Sequence, residues 1–159
     1  MKPKRRRQGM SEQAEAFDYG ALRTKALSEQ LGIPERAQAD LVRYVIEDPL
    51  PLTVVDNLVA YGWQQAEVFA AVIPRRTYAL RKSKGQKTLT AEESDRAIRA
   101  ARVVAQAEYA FGNRQKALAW LRKPKWFLAE RTPMSLLGLS EPARLIEQKL
   151  HQLEHGMAA

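Results

Sequence analysis

The sequence predicts an all-α protein, and three observations carry that reading. No run alternates apolar and polar residues with a period of two, and the valines stand singly or in pairs. Apolar residues recur at spacings of three and four instead, as in Ala37, Leu41, Tyr44 and Val45, or in Ala97, Ile98, Ala101, Val104 and Ala105. Helix punctuation is frequent: hydroxyl caps at Thr90 and Thr132, prolines that open segments, glycines that close them. At 159 residues and 45% hydrophobic, the chain suits one globular domain or two small ones sharing a core.

The elements follow in chain order. Residues 1–10 open with Met1 to Gly9, which has nothing to bury, and are expected to be a disordered basic tail. Such a tail either reaches a DNA groove as an arm or only solubilises the chain. Residues 11–47 read as helical, with breaks at Gly20 and Gly32. Pro34 opens the helix that carries Ala37, Leu41, Tyr44 and Val45, and Asp48-Pro49-Leu50-Pro51 stops it. This acidic region shows no chemistry, so packing or dimer contact is its expected task. Leu52 to Ala60 forms a short helix ending at Gly62, and Gln64 to Ala71 a second after Trp63.

Val72-Ile73-Pro74 then turns the chain into its most basic segment. Pro74 stands where a helix starts without losing a needed hydrogen bond, and Gly85 where a left-handed C-cap residue belongs. The next helix starts in the capping box Thr90-Ala91-Glu92-Glu93 and ends at Phe111-Gly112. Rich in alanine, it is expected to be the central strut. Asn113 caps a helix holding Ala117, Leu118, Trp120 and Leu121. After the loop Lys123-Pro124-Lys125 come Trp126-Phe127-Leu128, a short helix from Thr132-Pro133 to Gly138, and a last helix from Ser140-Glu141-Pro142 with core face Ile146, Leu150 and Leu153.

The placement of charge is more informative than its total of +8. Residues 1–7 carry five basic side chains, whereas residues 8–73 carry four basic and ten acidic ones. Residues 74–87 hold six basic and no acidic side chains, and residues 112–159 eight basic against four acidic. Basic patches of this kind attract phosphates or an acidic protein face. With no cysteine, disulfides, thiol nucleophiles and cysteine-based metal sites are excluded. No stretch reaches the roughly 18 apolar residues of a membrane span, and no apolar segment follows the basic start, so neither membrane nor secretion is expected and the cytoplasm is the default.

Two short helices joined by a tight turn, the second cationic, have helix-turn-helix order. The α-helix fits the DNA major groove. Arg75, Arg76 and Arg81 are the candidate base readers, because a guanidinium donates two parallel hydrogen bonds to guanine. Tyr78, Lys82 and Lys84 are expected on phosphates, with Thr77 on the same outer surface. The alternative for such a helix is a solvated charged face.

From Trp63 onward the chain resembles the Xre/MbcA/ParS family of type II antitoxins. The resemblance rests on Ile73-Pro74-Arg75-Arg76-Thr77, Leu89-Thr90-Ala91-Glu92-Glu93-Ser94-Asp95-Arg96 and Ala107-Glu108-Tyr109-Ala110-Phe111-Gly112. It continues through Lys116-Ala117-Leu118-Ala119-Trp120-Leu121, Pro124, Arg131-Thr132-Pro133-Met134-Ser135-Leu136-Leu137 and the closing Glu154-His155-Gly156. Two departures stand out: Leu128-Ala129-Glu130 where the family often has a glycine-containing turn, and Pro142 where it often begins the last helix with glycine. The resemblance implies a DNA-binding half within residues 11–112 (helix-turn-helix core 52–84, connecting helix 90–111) and a toxin-binding half over 113–159. It also implies a RES-type or ADP-ribosyltransferase-like toxin that consumes NAD as partner, a homodimer, and operator binding that represses the protein's own operon. A stand-alone DNA-binding regulator with a dimerising C-terminal half is the alternative.

Gly156-Met157-Ala158-Ala159 is small and unbranched and, given the resemblance, is expected to enter the toxin's active-site cleft together with His155; otherwise it is a frayed terminus. Trp126 and Phe127 either anchor that interface or fill a small core, and Trp120 reads as core. His151-Gln152-Leu153-Glu154-His155 fits the H-x-x-E-H pattern of inverzincins, and Glu147, His151 and His155 share one helix face. Only four residues follow His155, leaving no further element to supply a ligand or a cleft, so the pattern reads as a solvated or interface face. No catalytic triad, phosphate loop or dinucleotide fingerprint is present. Neither an enzyme, a metal nor a cofactor is expected.

Overall fold

The computed structural model describes residues 19–156, and those residues form nine α-helices and two 3-10 turns. In order these are α1 (Tyr19–Leu31), a 3-10 turn (Glu35–Asp40), α2 (Arg43–Ile46), α3 (Val54–Tyr61), α4 (Gln65–Ala71) and α5 (Arg75–Ser83). Then come α6 (Ala91–Phe111), α7 (Arg114–Leu121), a 3-10 turn (Trp126–Leu128), α8 (Pro133–Leu136) and α9 (Ser140–Glu154). Among the described residues the extended pairing amounts to two isolated bridges, Pro51 with Thr88 and Lys125 with Arg131. The expectations for residues 1–18 and for Met157, Ala158 and Ala159 lie outside the described residues.

The strut is α6. Thr90 Oγ1 accepts from the Glu93 amide while Glu93 Oε2 accepts from the Thr90 amide at 2.8 Å, so the capping box closes in both directions. Gly112 ends the helix at φ 66°, a left-handed conformation that glycine adopts without penalty. Between them Ala97, Ala100, Ala101, Val103, Val104, Ala105 and Ala107 are buried. Small side chains all round let α1, α2, α7 and α9 approach the same axis. The alanines thus build a centre rather than a stripe.

One polar network ties the layers together. Gln30 on α1 is fully buried; its amide nitrogen donates to the Ala101 carbonyl at 2.9 Å, and its oxygen accepts from the Trp63 indole at 3.0 Å. A buried amide with all its partners costs little, and it fixes one register between α1, α6 and the α3–α4 corner. At the far end Gly138 lies so close to α4 that an added Cβ would sit 2.8 Å from the Ala71 carbonyl, so the α8–α9 joint requires glycine there.

Helix α1 stops at Gly32, where a break was expected, and Gly20 lies in its first described turn. Two expectations change. Pro34 opens a 3-10 turn and the four-residue α2 rather than one helix, although Ala37, Leu41, Tyr44 and Val45 still pack on the core as their spacing implied. Leu153 does not join Ile146 and Leu150 in the core: those two are fully buried, whereas Leu153 is 44% exposed. At that turn α9 turns Glu154 rather than Leu153 toward α1, where Arg23 bonds it.

Candidate functional site

Helix α5 grows from a buried anchor. Ile73 is fully buried, and Pro74 (ψ 142°) turns the chain so that helical hydrogen bonding starts at once. No side chain of α5 itself is fully buried. At about 100° per residue, Thr77, Tyr78 and Arg81 share the inner side, and all three are partly covered. Arg76, Ala79, Leu80 and Ser83 form the exposed outer face, with Lys84 at one rim and Arg75 and Lys82 at the other. Tyr78 stacks obliquely on Phe69 of α4, centroids 5.6 Å apart, and the cations of Lys82 and Arg75 lie over those two rings. The aromatic pair thus holds one rim of cations in place.

Because α5 lacks an apolar face of its own, polar clamps fix it to α6. Arg81 forks onto Glu93, with Nη2 donating to Oε1 at 3.0 Å and Nη1 donating to Oε2. The two side chains are only 13% and 7% exposed. Burial pushes the Glu93 carboxyl up, but the Arg81 fork and the Thr90 bonds outweigh it and hold the group below the usual carboxylate range. Arg96 donates through Nε and Nη2 to the Val72 carbonyl at 3.1 and 3.0 Å, securing the turn that precedes α5. The Leu52 amide donates to Lys87 O and the Leu89 amide to Leu50 O, so the chain leaving α5 is tied as well. Arg81, expected as a base reader, is thus engaged by Glu93 and anchors α5 to α6.

A second exposed cluster forms after α7. The bridge between Lys125 and Arg131 closes a tight loop in which Ala129 and Glu130 both take left-handed backbone (φ 52° and 59°). Without glycine this conformation costs on the order of 1 kcal/mol per residue. The loop thrusts Trp126 outward to 78% exposure. Its ring meets Phe127 edge-on at 5.8 Å, and the Lys149 ammonium of α9 lies 5.9 and 5.5 Å from the two rings. Lys125 covers Trp120 at 4.4 Å, and Trp120 leans on Phe111. Farther along α9, His155 and Gly156 are exposed, Gly156 in left-handed conformation at φ 66°.

Residues 42–102 match the antitoxin Xre-like helix-turn-helix domain, and residues 106–156 match the antitoxin Xre/MbcA/ParS C-terminal toxin-binding domain. The chain belongs to the Xre/MbcA/ParS family of antitoxins. It is 35% identical over 126 residues to an antitoxin Xre of Pseudomonas putida, a stretch that covers 79% of each chain. It is 31% identical over 140 residues to an antitoxin Xre of Yersinia enterocolitica, covering 86% of this chain and 93% of that one. The antitoxin Xre of Photorhabdus laumondii is 30% identical over 118 residues, or 72% and 79% of the two chains.

This antitoxin therefore has a helix-turn-helix part and a toxin-binding part, and both matched segments run into α6. The toxin-binding match decides against a stand-alone regulator, and membership in the family makes this a binding protein rather than an enzyme. Among the described residues no helix is long and apolar enough to cross a membrane. Of the residues singled out in the sequence, Arg75, Arg76, Lys82 and Lys84 are exposed on α5, while Thr77 and Tyr78 are half-buried and Arg81 is clamped. Trp126, Phe127, His155 and Gly156 lie along the toxin-binding part. The sequence reading overlooked Leu80, an exposed apolar residue between two cationic rims, and Lys149, which reaches the tryptophan from another helix. Projecting α5 on a helical wheel against Ile73 would have found the first. Nothing local could have found the second.

Proposed function

We propose that this antitoxin inhibits an NAD-consuming toxin of RES or ADP-ribosyltransferase-like type by covering its active site. It also binds operator DNA as a homodimer in the cytoplasm to repress its own operon. The toxin's chemistry rests on the family resemblance; the two interfaces rest on geometry. The observation that carries the DNA reading is the outer face of α5. There Arg76 stands ready to address guanine, Ala79 and Leu80 offer methyl groups to thymine, and Arg75, Lys82 and Lys84 flank the face toward the phosphates.

For the toxin interface the carrying observation is Trp126, a large aromatic held in the open by a strained loop and steadied by Phe127 and Lys149. Interfaces concentrate their energy in such anchors, at roughly 2–4 kcal/mol each. Trp126→Ala is expected to weaken toxin affinity about 30- to 1000-fold with thermal stability unchanged, and removal of residues 156–159 to reduce neutralisation further. Surface plasmon resonance and a growth-rescue assay read both effects; full neutralisation by the doubly altered protein would refute this assignment.

Two copies are needed to read two half-sites one helical turn apart. Val42, just before α2, and Ile46 at its end are 65% and 72% exposed, and Val42 lies beside Asp95, Arg99 and Arg102 of α6. Opposite charges flanking an apolar pair suit self-association about a two-fold axis. Ile46→Glu should convert the dimer to a monomer in light scattering and abolish cooperative operator binding. A variant that remains dimeric would place the interface elsewhere.

A further inference from the structure

We propose that His151, Glu154 and His155, at the end of α9, form a binding site for one borderline divalent metal ion of the Zn2+ type. The three side chains offer ligand atoms that all lie within 4.8 Å of one another. His151 and His155 are one helical turn apart, their rings edge-on with centroids 4.2 Å apart, and both are exposed. Helix geometry alone therefore brings the two imidazoles together without ordering a loop.

The carboxylate is the informative member. The Glu154 side chain is only 3% exposed, with Oε2 accepting from Arg23 Nη2 at 2.9 Å and lying 3.6 Å from His151 Nδ1. Its other oxygen, Oε1, is buried without a hydrogen-bond partner. Arg23 is itself stacked on Tyr109 at 4.1 Å, so it holds the carboxylate in place with Oε2 toward His151. Hydrogen-bonded carboxylates of this kind are the usual supports of metal ligands. The Nε of Arg23 is buried and without a hydrogen-bond partner as well.

The donor set selects the ion. Two imidazoles and one carboxylate suit zinc, copper or nickel and not the oxygen-seeking calcium or magnesium. In a tetrahedral zinc site, bond lengths of about 2.0–2.2 Å put ligand atoms roughly 3.4 Å apart, which rotation of the exposed rings can reach. A fourth position stays open to water or to a residue of a partner. Glu147, one turn earlier, is not part of the set: it lies in the cavity between α1 and α6 with Arg23, Gln38 and Arg102. The bound ion would staple the last turn of α9, from which the chain continues past Gly156, and through Glu154 and Arg23 it would tie that turn to α1. This holds independently of the toxin reading.

The test is zinc affinity of the tag-free full-length chain at neutral pH, by competition with a chromophoric chelator. The site predicts one Zn2+ per chain, at least about tenfold weaker binding in His151→Ala and in His155→Ala, and a zinc-dependent rise in melting temperature that both variants lose. Both histidines are exposed, so neither variant threatens the fold. Binding that is absent, or equal in wild type and the histidine variants, would overturn the proposal. Glu154→Gln should also weaken binding; unchanged affinity there would mean that the carboxylate serves Arg23 alone, and the three-ligand site would be withdrawn.

Discussion

The double substitution Arg75→Glu, Arg76→Glu is expected to lower operator affinity about a thousandfold while leaving toxin binding intact. A guanidinium on a base edge is worth about 1–3 kcal/mol, and two reversed charges beside phosphates add repulsion, giving a total near 4 kcal/mol. Neither side chain supports the fold: both are exposed, and Arg75 merely lies over Phe69. Gel-shift titration reads the loss, and circular dichroism checks that the helices persist. Lys84→Ala should act differently, weakening binding to all sequences alike and reducing the log–log salt slope by about 1, as removal of one phosphate contact does. Operator affinity unchanged in the double variant would remove α5 from the DNA interface.

The second large effect is expected at Glu93. Glu93→Ala removes the reciprocal half of the α6 cap and leaves Arg81, only 13% exposed, without its partner. Loss of a cap costs about 1 kcal/mol, and stranding one member of a buried pair about 3 kcal/mol. A destabilisation of about 3–4 kcal/mol should appear as a lower urea midpoint, with a loss of DNA binding greater than that of toxin binding. Arg81→Ala should resemble it more than it resembles the Arg75 and Arg76 substitutions, because its task is attachment. The pair also sets an acid limit. Since the folded Glu93 carboxyl lies below its ordinary value, its contribution is complete at neutral pH. That contribution is lost progressively as pH falls from about 4.3, the ordinary glutamate value, toward the depressed folded value. The wild-type urea midpoint should therefore drop more steeply below pH 4 than that of Glu93→Gln. Parallel curves would show that the ion pair carries no stability.

Burial pushes the Glu147 carboxyl the opposite way, with Arg102 and Arg99 opposing it only in part. It is a small counterweight: a raised carboxyl loses stability as it ionises, so acid relieves this site while it loosens the Arg81–Glu93 clamp.

Helix punctuation was legible because it is local. Thr90 with Glu93, Asn113, Thr132 with Pro133, and Gly112 each act within four residues, and all cap as their chemistry requires. The burial of Ala97, Ile98, Ala101, Val104 and Ala105 was equally plain, since periodicity needs no partner to be read. The α3–α4–α5 order, and with it the helix-turn-helix match, followed from the same signals.

What the sequence by itself determined is where helices start and stop, which faces are apolar, and which segment carries the cations. Only the tertiary structure decided what each charged side chain does. Arg76 and Arg81 are five residues apart on one helix and alike in chemistry; one faces outward, and the other meets Glu93 across a loop. Trp126 and Trp63 are the same residue type, yet one stands in solvent and the other donates to Gln30 in the core. Long polar and aromatic side chains take their roles from partners distant in the chain. A one-dimensional pattern records spacing along one helix, whereas such partners are chosen by how the helices cross.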